Sequence, residues 1–409
     1  MEDTFVIRGG VPLYGTVAVS GSKNAALPLL FASLITHGVS EFSGVPAIGD
    51  VEVVLRLLRA FGAGIEHIPP DTVRIDTRHL SYASPDPALV GKIRASTYLL
   101  GAMLSRFGRA EILSFGGCAF CARPIDYHLK AIRALGGTVG DREITASRLR
   151  GGRISFSQIS VGATVNALLL AASAEGESVI ENPATEPHIL ALIDYLNAAG
   201  GEITVCDGAF TVVGRPLHGA AARVIPDMIE AGTYLLCAPV TGGDVCVTGI
   251  SPEQLTAFLT VLRESGVSVS ASEKGIRVWG RPHTPMRVVA APYPAFPTDL
   301  QPLIAVAAAL GDGGIVADRV FPDRFSYLQA LAPFGLCFRP APGFAFLYPS
   351  RLRAAETRAP DLRGGAAALL CALACEGESR ITGANLLLRG YASLPEKCRA
   401  LGADVTLYS

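Results

Sequence analysis

The chain has 409 residues, half of them hydrophobic and 17% charged, with a formal net charge of −1. This composition can fill more than one large core, and two domains is a reasonable expectation for the length. It lacks the basic excess of proteins that bind nucleic acid or anionic membranes, so neither partner is expected.

The start of the chain, "MEDTFVIRGG", has no charged-then-apolar signal region, and apolar runs such as "GAAALLCALA" are too short to span a bilayer. The nine cysteines are odd in number, scattered, and mostly set in apolar stretches. Without a secretion signal they are expected to be reduced, and the protein is expected to be cytoplasmic.

In chain order, one pattern of predicted elements repeats six times with a period of roughly 65–70 residues, which is longer than solenoid repeats. Each repeat has an apolar helix, a strand, an amphipathic helix that ends at a glycine, and a final strand. The glycine after a helix is typical of a left-handed C-terminal cap. The six exits are Gly62, Gly136, Gly200, Gly266, Gly335 and Gly402.

The opening helices, such as "GATVNALLLAASA", are apolar almost all round and are predicted to be buried. The amphipathic helices, such as "DVEVVLRLLRAF", have one polar face and are predicted to lie outside. Six such α/β repeats predict two pseudo-symmetric domains of three repeats each. Repeats alone do not reveal any chemistry.

Several starts of the buried helices carry polar or charged residues that the other repeats lack. Helix N-termini offer unbonded N–H groups and positive potential, so added cations there indicate a site for phosphate or carboxylate. Any one of these cations taken alone is better explained as solvated surface charge, and it is their coincidence at equivalent places that favours an anion site. The residues at these starts are Ser22, Lys23, Asn24, Arg94, Ser160, Val161, Gly162, Asp299, Asp361 and Arg363.

Residues 115–128, "FGGCAFCARPIDYH", hold two cysteines, Cys118 and Cys121. A zinc site would need a second pair of ligands that the sequence does not supply. A redox pair would need the start of a helix, whereas Gly116, Gly117 and Pro124 indicate a flexible loop. Two readings remain open from the residues themselves: cysteines without a role, or one reactive thiol that Arg123 stabilises as a thiolate.

Five segments carry a resemblance to a known family: "SGSKNAALPLLFASL", "GGCAFCARPIDYHLKAIRALGG", "SVGATVNALLLAASAEG", "APYPAFPTDLQ" and "LLLRGYASLPEKCRALGADV". In this order they closely resemble the enolpyruvyl transferases that act on UDP-N-acetylglucosamine, over almost the whole chain. The shikimate-pathway branch of that family is a weaker match, because it lacks the cysteine loop and opens with a different lysine motif.

The resemblance implies the enolpyruvyl transferase fold, which is α/β with two inside-out α/β barrel domains of three repeats each. It places residues 1–21 and 229–409 in a discontinuous C-terminal-type domain, and residues 22–228 in an inserted domain that carries the Cys118 loop. The site is then expected in the cleft between the domains.

The implied reaction moves the enolpyruvyl group of phosphoenolpyruvate to the 3-hydroxyl of UDP-N-acetylglucosamine and releases phosphate, as the first committed step of peptidoglycan synthesis. No metal or other cofactor is expected.

By resemblance, the catalytic residues are Cys118, Asp299, Lys23 and Arg389. The residues expected to bind phosphoenolpyruvate are Lys23, Asn24, Arg123, Arg324, Arg363 and Arg389. Those expected to bind the sugar nucleotide are Arg94, Arg123, Pro124, Ile125, Asp126, Tyr127, His128, Ser160, Val161, Gly162, Asp299 and Val320.

Three positions depart from the family pattern. Gln158 stands where many relatives have a lysine near the diphosphate, Met228 replaces an arginine, and Cys121 occupies a position that is normally glycine. Two alternatives therefore remain: a paralogue that transfers enolpyruvyl to another acceptor, and a non-catalytic sensor of nucleotide sugars. Joint retention of Cys118 and Asp299 favours an enzyme, because a sensor would need neither residue.

Overall fold

A computed structural model describes residues 2–117 and 123–408. The α-helices alternate with strands along the whole chain. They are α1 (Lys23–Ala32), α2 (Gly49–Ala60), α3 (Pro87–Val90), α4 (Tyr98–Phe107), α5 (Asp126–Ala134), α6 (Val161–Ser173), α7 (Pro187–Ala198), α8 (Met228–Thr241), α9 (Thr256–Glu264), α10 (Gln301–Leu310), α11 (Tyr327–Leu331), α12 (Leu362–Ala374), α13 (Ala384–Leu388) and α14 (Leu394–Ala400). Short 3₁₀ turns cover Ser33–Ile35, Arg94–Thr97, Pro252–Leu255, Thr298–Leu300 and Ala332–Phe334.

The strands are short, mostly of five residues. They are β1 (Thr4–Gly9), β2 (Tyr14–Ala18), β3 (Val39–Ser43), β4 (Gly64–Ile68), β5 (Thr72–Asp76), β6 (Arg109–Glu111), β7 (Thr138–Val139), β8 (Glu143–Thr145), β9 (Arg153–Ser155), β10 (Glu177–Glu181), β11 (Glu202–Cys206), β12 (Ala209–Val213), β13 (Ala221–Arg223), β14 (Asp244–Thr248), β15 (Ser268–Ser272), β16 (Gly275–Trp279), β17 (Met286–Ala290), β18 (Gly314–Asp318), β19 (Cys337–Ala341), β20 (Phe344–Tyr348), β21 (Glu356–Arg358), β22 (Gly377–Thr382) and β23 (Asp404–Tyr408).

Contacts divide the described residues into two compact domains. The discontinuous domain comprises residues 2–20 and 226–408, and the inserted domain comprises residues 21–117 and 123–225. The chain changes domain between Ser20 and Gly21 and again between Ile225 and Pro226, whereas the sequence placed these crossings near residues 21 and 228.

Strand pairing explains why the first twenty residues belong with the second half of the chain. Strand β1 pairs antiparallel with β22 and β23, and β2 pairs in parallel with β14. Strand β13 pairs in parallel with β3, which brings the returning chain back to the start of the inserted domain. Beside the two crossings, the Ser22 N–H donates to the Ile225 carbonyl at 2.7 Å and the Asp227 N–H donates to the Ser20 carbonyl at 2.9 Å.

Within the described residues, each domain has three sheets, one for each predicted repeat. In the inserted domain the strand orders are β13-β3-β5-β4, β6-β8-β7 and β11-β12-β10-β9. In the discontinuous domain they are β15-β16-β14-β2, β17-β18-β20-β19 and β21-β22-β1-β23. All the four-stranded sheets share one plan, in which a parallel pair of strands is extended by two antiparallel neighbours.

The apolar helices α1, α6, α8, α10 and α12 are buried along nearly their whole length, and α4 is buried over most of it, as the sequence predicted. The amphipathic helix α2 instead buries Val54 and Leu58 and exposes Glu52 and Arg59. No helix among residues 2–117 and 123–408 is both long and apolar enough to cross a membrane.

All six predicted exit glycines have a positive φ, between 85° and 97°. Five of them follow an α-helix, and there the chain forms a Schellman motif. After α14, for example, the Gly402 N–H donates to the Arg399 carbonyl at 2.9 Å and the Ala403 N–H donates to the Cys398 carbonyl at 3.1 Å. Gly335 instead closes a 3₁₀ turn. The prediction of left-handed glycine caps is therefore confirmed.

Gly402 gives a clean measure of what this backbone conformation costs, because its φ is +89° and a Cβ there would meet nothing within 4 Å. We predict that Gly402→Ala lowers the free energy of unfolding by about 1–2 kcal/mol, the cost of a left-handed alanine. Gly402→Asn should lose less, since asparagine tolerates this region better. Urea unfolding of the three proteins measures the difference. Equal stability of the alanine variant and the wild type would contradict the left-handed conformation of Gly402.

Candidate active site

In the discontinuous domain, the Asp299 carboxylate lies between two buried guanidinium groups. The Arg324 Nη1 donates to Asp299 Oδ1 at 2.9 Å, and the Arg363 Nη2 donates to Oδ2 at 3.1 Å. Arg324 and Arg363 are 3% and 2% exposed, whereas 27% of the Asp299 side chain is exposed. Buried cations need a partner charge, so Asp299 compensates both arginines and turns its exposed edge to solvent.

A chain of hydrogen bonds fixes the position of Arg324. Its Nη1 also donates to the Thr298 hydroxyl at 3.1 Å, and that hydroxyl donates to Asp318 Oδ2 at 2.5 Å. Burial raises the pKa of the Asp318 carboxyl, against hydrogen bonds that lower it. The other Asp318 oxygen accepts the Val320 N–H at 2.8 Å. A ligand contact at Val320, as the sequence predicted, would therefore have to use its carbonyl oxygen.

The starts of two buried helices, α8 and α12, come together near Arg363. Asp361 caps α12 by accepting the N–H groups of Arg363 and Gly364, and Asp227 caps α8 by accepting those of Ile229 and Glu230. Burial opposes the charge of Arg363, but the nearby Tyr391, Asp299 and Asp227 outweigh it and raise the pKa of the guanidinium.

Arg389 lies at the end of α13 and is half-buried. Its neighbour Gly390 packs on Leu362, where an added Cβ would come within 2.7 Å of the leucine side chain. Arg389 thus belongs to a segment that packs against Leu362, the first residue of α12.

In the inserted domain, Arg94 lies at the first position of the turn that leads into α4. Its Nη2 donates to the carbonyls of Arg123 and Pro124, the second at 3.3 Å. Gly117 has a φ of +115°, and a Cβ there would lie 2.8 Å from the Arg94 Cβ and 3.4 Å from the Arg123 Nη1. The two predicted site arginines therefore lie close to each other and to Gly117.

Cys118 and Cys121 lie outside the described residues. The glycines before them are described, and both are tightly packed: a Cβ on Gly116 would lie 2.0 Å from the Gly91 carbonyl oxygen. Close packing therefore requires glycine at both positions, which the loop pattern in the sequence did not indicate.

His128 is 4% exposed and lies near both arginines. Its Nδ1 is 2.7 Å from the Nδ2 of Asn166 in α6. Burial lowers the pKa of His128 to about 3, and the charges of Arg94 and Arg123 act in the same direction. A Cβ on Gly162 would lie 3.1 Å from the His128 Cε1, so the ring packs on the first turn of α6.

The other residues predicted to bind the nucleotide lie before and after His128 in the chain. Ile125 precedes α5 and Asp126 is its first residue. The Tyr127 hydroxyl is hydrogen-bonded to Ser157 at 2.6 Å, and its ring meets that of Phe156 edge to face. Ser160 caps α6 by accepting the Ala163 N–H at 3.4 Å.

Lys23 begins α1, and its Nζ is 3.5 Å from Oδ2 of Asp50 in the first turn of α2. The two side chains are 13% and 5% exposed. Asn24 follows and is half-buried. Among the described residues, these contacts therefore group Arg94, Arg123, Pro124, His128 and Gly162 in one domain and Asp299, Arg324, Arg363 and Val320 in the other, and Lys23 pairs with Asp50.

The helix starts near the site residues differ in how they are capped. In the discontinuous domain, carboxylates bind the first N–H groups of α8 and α12, whereas the Thr298–Leu300 turn that leads into α10 has no side-chain cap. In the described part of the inserted domain, α6 has a serine cap, and neither Ser22 before α1 nor Ile93 before the Arg94 turn provides a side-chain cap. Uncapped starts next to arginines suit a bound anion, and capped starts next to a carboxylate suit a hydroxyl.

Sequence reasoning missed four polar residues that hold these groups: Asp50, Asn166, Thr298 and Asp318. Asn166 had a detectable signal, because it is the only amide in the apolar run "GATVNALLLAASA". The others had none, since their partners are distant in the sequence.

The chain is similar to enolpyruvyl transferases in both sequence and fold. The family model of EPSP synthase (3-phosphoshikimate 1-carboxyvinyltransferase) matches residues 7–398. The crystal structure of the enolpyruvyl transferase NikO from Streptomyces tendae is similar with a TM-score of 0.88, at 25% identity, over 100% of this chain and 99% of that one. The predicted enolpyruvyl transferase fold is thus confirmed.

Among the relatives, the UDP-N-acetylglucosamine 1-carboxyvinyltransferase of Halothermothrix orenii is 40% identical over 98% of both chains. The UDP-N-acetylglucosamine 1-carboxyvinyltransferase 3 of Caldanaerobacter subterraneus subsp. tengcongensis is 40% identical over 98% of this chain and 99% of its own. The chain belongs to the enolpyruvyl transferase family, and within it to the UDP-N-acetylglucosamine 1-carboxyvinyltransferases.

The low pKa of His128 predicts a pH dependence of stability. The unfolded histidine binds a proton below pH 6.5, and the folded one does so only near pH 3. The contribution of this group is therefore complete above pH 6.5 and is lost progressively as the pH falls toward 3. The free energy of unfolding should fall by up to about 1.4 kcal/mol per pH unit from this group.

Urea unfolding at pH 7, 6, 5 and 4.5 tests this expectation. His128→Gln should flatten the decline, and the matched control His37→Gln, at an exposed position of the same domain, should not. Parallel curves for His128→Gln and the wild type would show that His128 is not held neutral.

Proposed function

We propose that this protein transfers the enolpyruvyl group of phosphoenolpyruvate to the 3-hydroxyl of UDP-N-acetylglucosamine and releases phosphate. The observation that carries the proposal is the 40% identity over 98% of both chains with relatives that bear this name. The site residues support it, because the charges match the substrates: cations for a phosphate, a carboxylate and a diphosphate, and one exposed carboxylate for a hydroxyl.

The proposed chemistry is an addition followed by an elimination. An acid gives a proton to C3 of phosphoenolpyruvate while the sugar oxygen bonds to C2 and its proton passes to a base. The bond from C2 to the phosphate oxygen then breaks, a proton leaves C3, and the double bond re-forms. The role of the acid falls to Cys118 by its match to the family.

Asp299 is the proposed partner of the sugar hydroxyl. Its two buried arginines orient the carboxylate, so that it accepts a hydrogen bond from the hydroxyl and favours attack by the oxygen. This assigns Arg324 and Arg363 mainly to the placement of Asp299. Lys23, Arg123 and Arg389 remain the proposed ligands of the phosphate and carboxylate of phosphoenolpyruvate, with Asn24 beside Lys23.

The inserted domain is the proposed seat of the nucleotide. Arg94, Arg123 and the segment from Pro124 to His128 would contact the uridine and its phosphates, and the start of α6 at Ser160, Val161 and Gly162 would bind the diphosphate through N–H groups. Val320 would contact the sugar.

Phosphate release tests the function directly. The wild type should release phosphate only when both phosphoenolpyruvate and UDP-N-acetylglucosamine are present. Cys118→Ser should lower turnover by about 100-fold or more, the scale for loss of a general acid, and the matched variant Cys121→Ser should stay near the wild type. A folded wild-type protein that releases no phosphate with this acceptor overturns the proposal, and equal activity of the two variants overturns the role of Cys118.

Asp299→Asn should lower kcat by about 100-fold or more, because the neutral amide is a poor acceptor for the hydroxyl proton. Binding of the sugar nucleotide, measured by calorimetry, should change little. The control Asp323→Asn removes an exposed carboxylate from the same domain and should leave turnover unchanged. Because the change also leaves two buried arginines undercompensated, thermal unfolding must accompany the assay. Wild-type turnover in a folded Asp299→Asn protein would remove Asp299 from the mechanism.

A further inference from the structure

Asn166 is a fully buried amide in the middle of the apolar helix α6, and four groups surround it. Its Oδ1 accepts the Gly101 N–H at 2.6 Å. Its Nδ2 lies 3.0 Å from the Thr97 carbonyl, 3.4 Å from the Gly162 carbonyl and 2.7 Å from the His128 Nδ1. It therefore links α4, α5 and the first turn of α6.

The chemistry of these neighbours permits only one orientation of the amide. A backbone N–H can only donate and a backbone carbonyl can only accept, so Oδ1 must face Gly101 and Nδ2 must face Thr97. The amide group that faces His128 is consequently a donor. The His128 Nδ1 must then be the unprotonated nitrogen, and the single proton of the neutral ring lies on Nε2.

Gly101 is part of the same arrangement. A Cβ at this position would lie 2.5 Å from the Asn166 Oδ1, so only glycine lets its N–H approach the amide this closely. The contact between α4 and α6 is thus built around the orientation of Asn166.

The Nε2 edge of His128 faces the beginning of α6. A Cβ on Gly162 would lie 3.3 Å from Nε2, which places this nitrogen against the first turn of the helix. Within the described residues, the Ala163 and Thr164 N–H groups are taken up by Ser160, and those of Val161 and Gly162 precede them at the helix start. The charged groups whose fields reach the imidazole are Arg94 and Arg123.

We propose that Asn166 is a positioning residue, which holds His128 as the Nε2–H tautomer so that this N–H joins the first amides of α6 as a donor to the diphosphate of the sugar nucleotide. The inference rests on the proposed function for the identity of the anion. The tautomer itself rests on the contacts of Asn166 alone. A neutral N–H donor orients the diphosphate without placing a further charge in the buried site, because Arg94 and Arg123 already provide positive charge.

Nitrogen NMR of the full chain, labelled with ¹⁵N-histidine and without ligand, tests the tautomer. The seven histidine signals are assigned by the loss of one set in His128→Gln. In the wild type, His128 should show an unprotonated Nδ1 and a protonated Nε2. In Asn166→Asp the carboxylate cannot donate, so the proton should appear on Nδ1. A proton on Nδ1 in the wild type would overturn the proposal.

Binding of UDP and of uridine, measured by calorimetry, tests the consequence. Asn166→Asp should weaken UDP binding by about 10-fold or more, the scale for loss of an orienting partner, and should leave uridine binding nearly unchanged. Asn166→Ala is a second variant, which adds no buried charge. It should show a mixture of the two His128 tautomers and a smaller loss of UDP affinity than Asn166→Asp. Asn197→Asp, at an exposed amide of the same domain, is the control.

Equal losses for UDP and uridine, or normal UDP binding despite a shifted proton, would overturn the role in diphosphate binding. These outcomes are separate from the proposed function. Absence of phosphate release together with the expected NMR and UDP results would contradict the transferase activity and leave the tautomer assignment intact.

Discussion

The start of a buried helix must find partners for its first N–H groups, and much of this protein follows from that requirement. Each domain buries apolar helices that begin at a cluster of polar residues. In the discontinuous domain, Asp227 and Asp361 provide such partners for α8 and α12, and the turn that leads into α10 has no side-chain cap. The inserted domain provides a serine at α6 and, at the described starts of α1 and the Arg94 turn, no side-chain cap. Helix starts of this second kind are typical anion sites.

The charged residues of the two domains also have different surroundings. Where carboxylates already cap the helices, the buried Arg324 and Arg363 are balanced by a third carboxylate, Asp299. That local neutrality leaves an oriented carboxylate edge and little excess positive charge. Arg94 and Arg123 instead lie beside a histidine whose pKa burial lowers to about 3, so the ring adds no third positive charge near neutral pH. One repeated scaffold thus supports two kinds of chemistry.

Local features of the fold could be predicted from the sequence because their causes are local. The exit glycines follow from the backbone angles of a helix cap, and burial of the opening helices follows from their lack of a polar face. The resemblance to the family's motifs also predicted how the repeats are divided between the two domains. The partners of Asp299 could not be predicted, since they lie 25 and 64 residues away in the chain. The same is true of His128 and Asn166, which are 38 residues apart and meet only through the packing of α5 on α6.

The structure shows the surroundings of the residues that depart from the family pattern. Met228 begins α8 and packs on the core of its domain, next to the carboxylate cap Asp227, so an apolar side chain fits its surroundings. Gln158 is exposed, two residues before the cap of α6, and provides no positive charge there. Lys23 is partly balanced by Asp50 at 3.5 Å. Under the proposed function, the absence of a cation at Gln158 makes recognition of the diphosphate more dependent on oriented neutral donors, and the proposed donor is the His128 ring that Asn166 would orient.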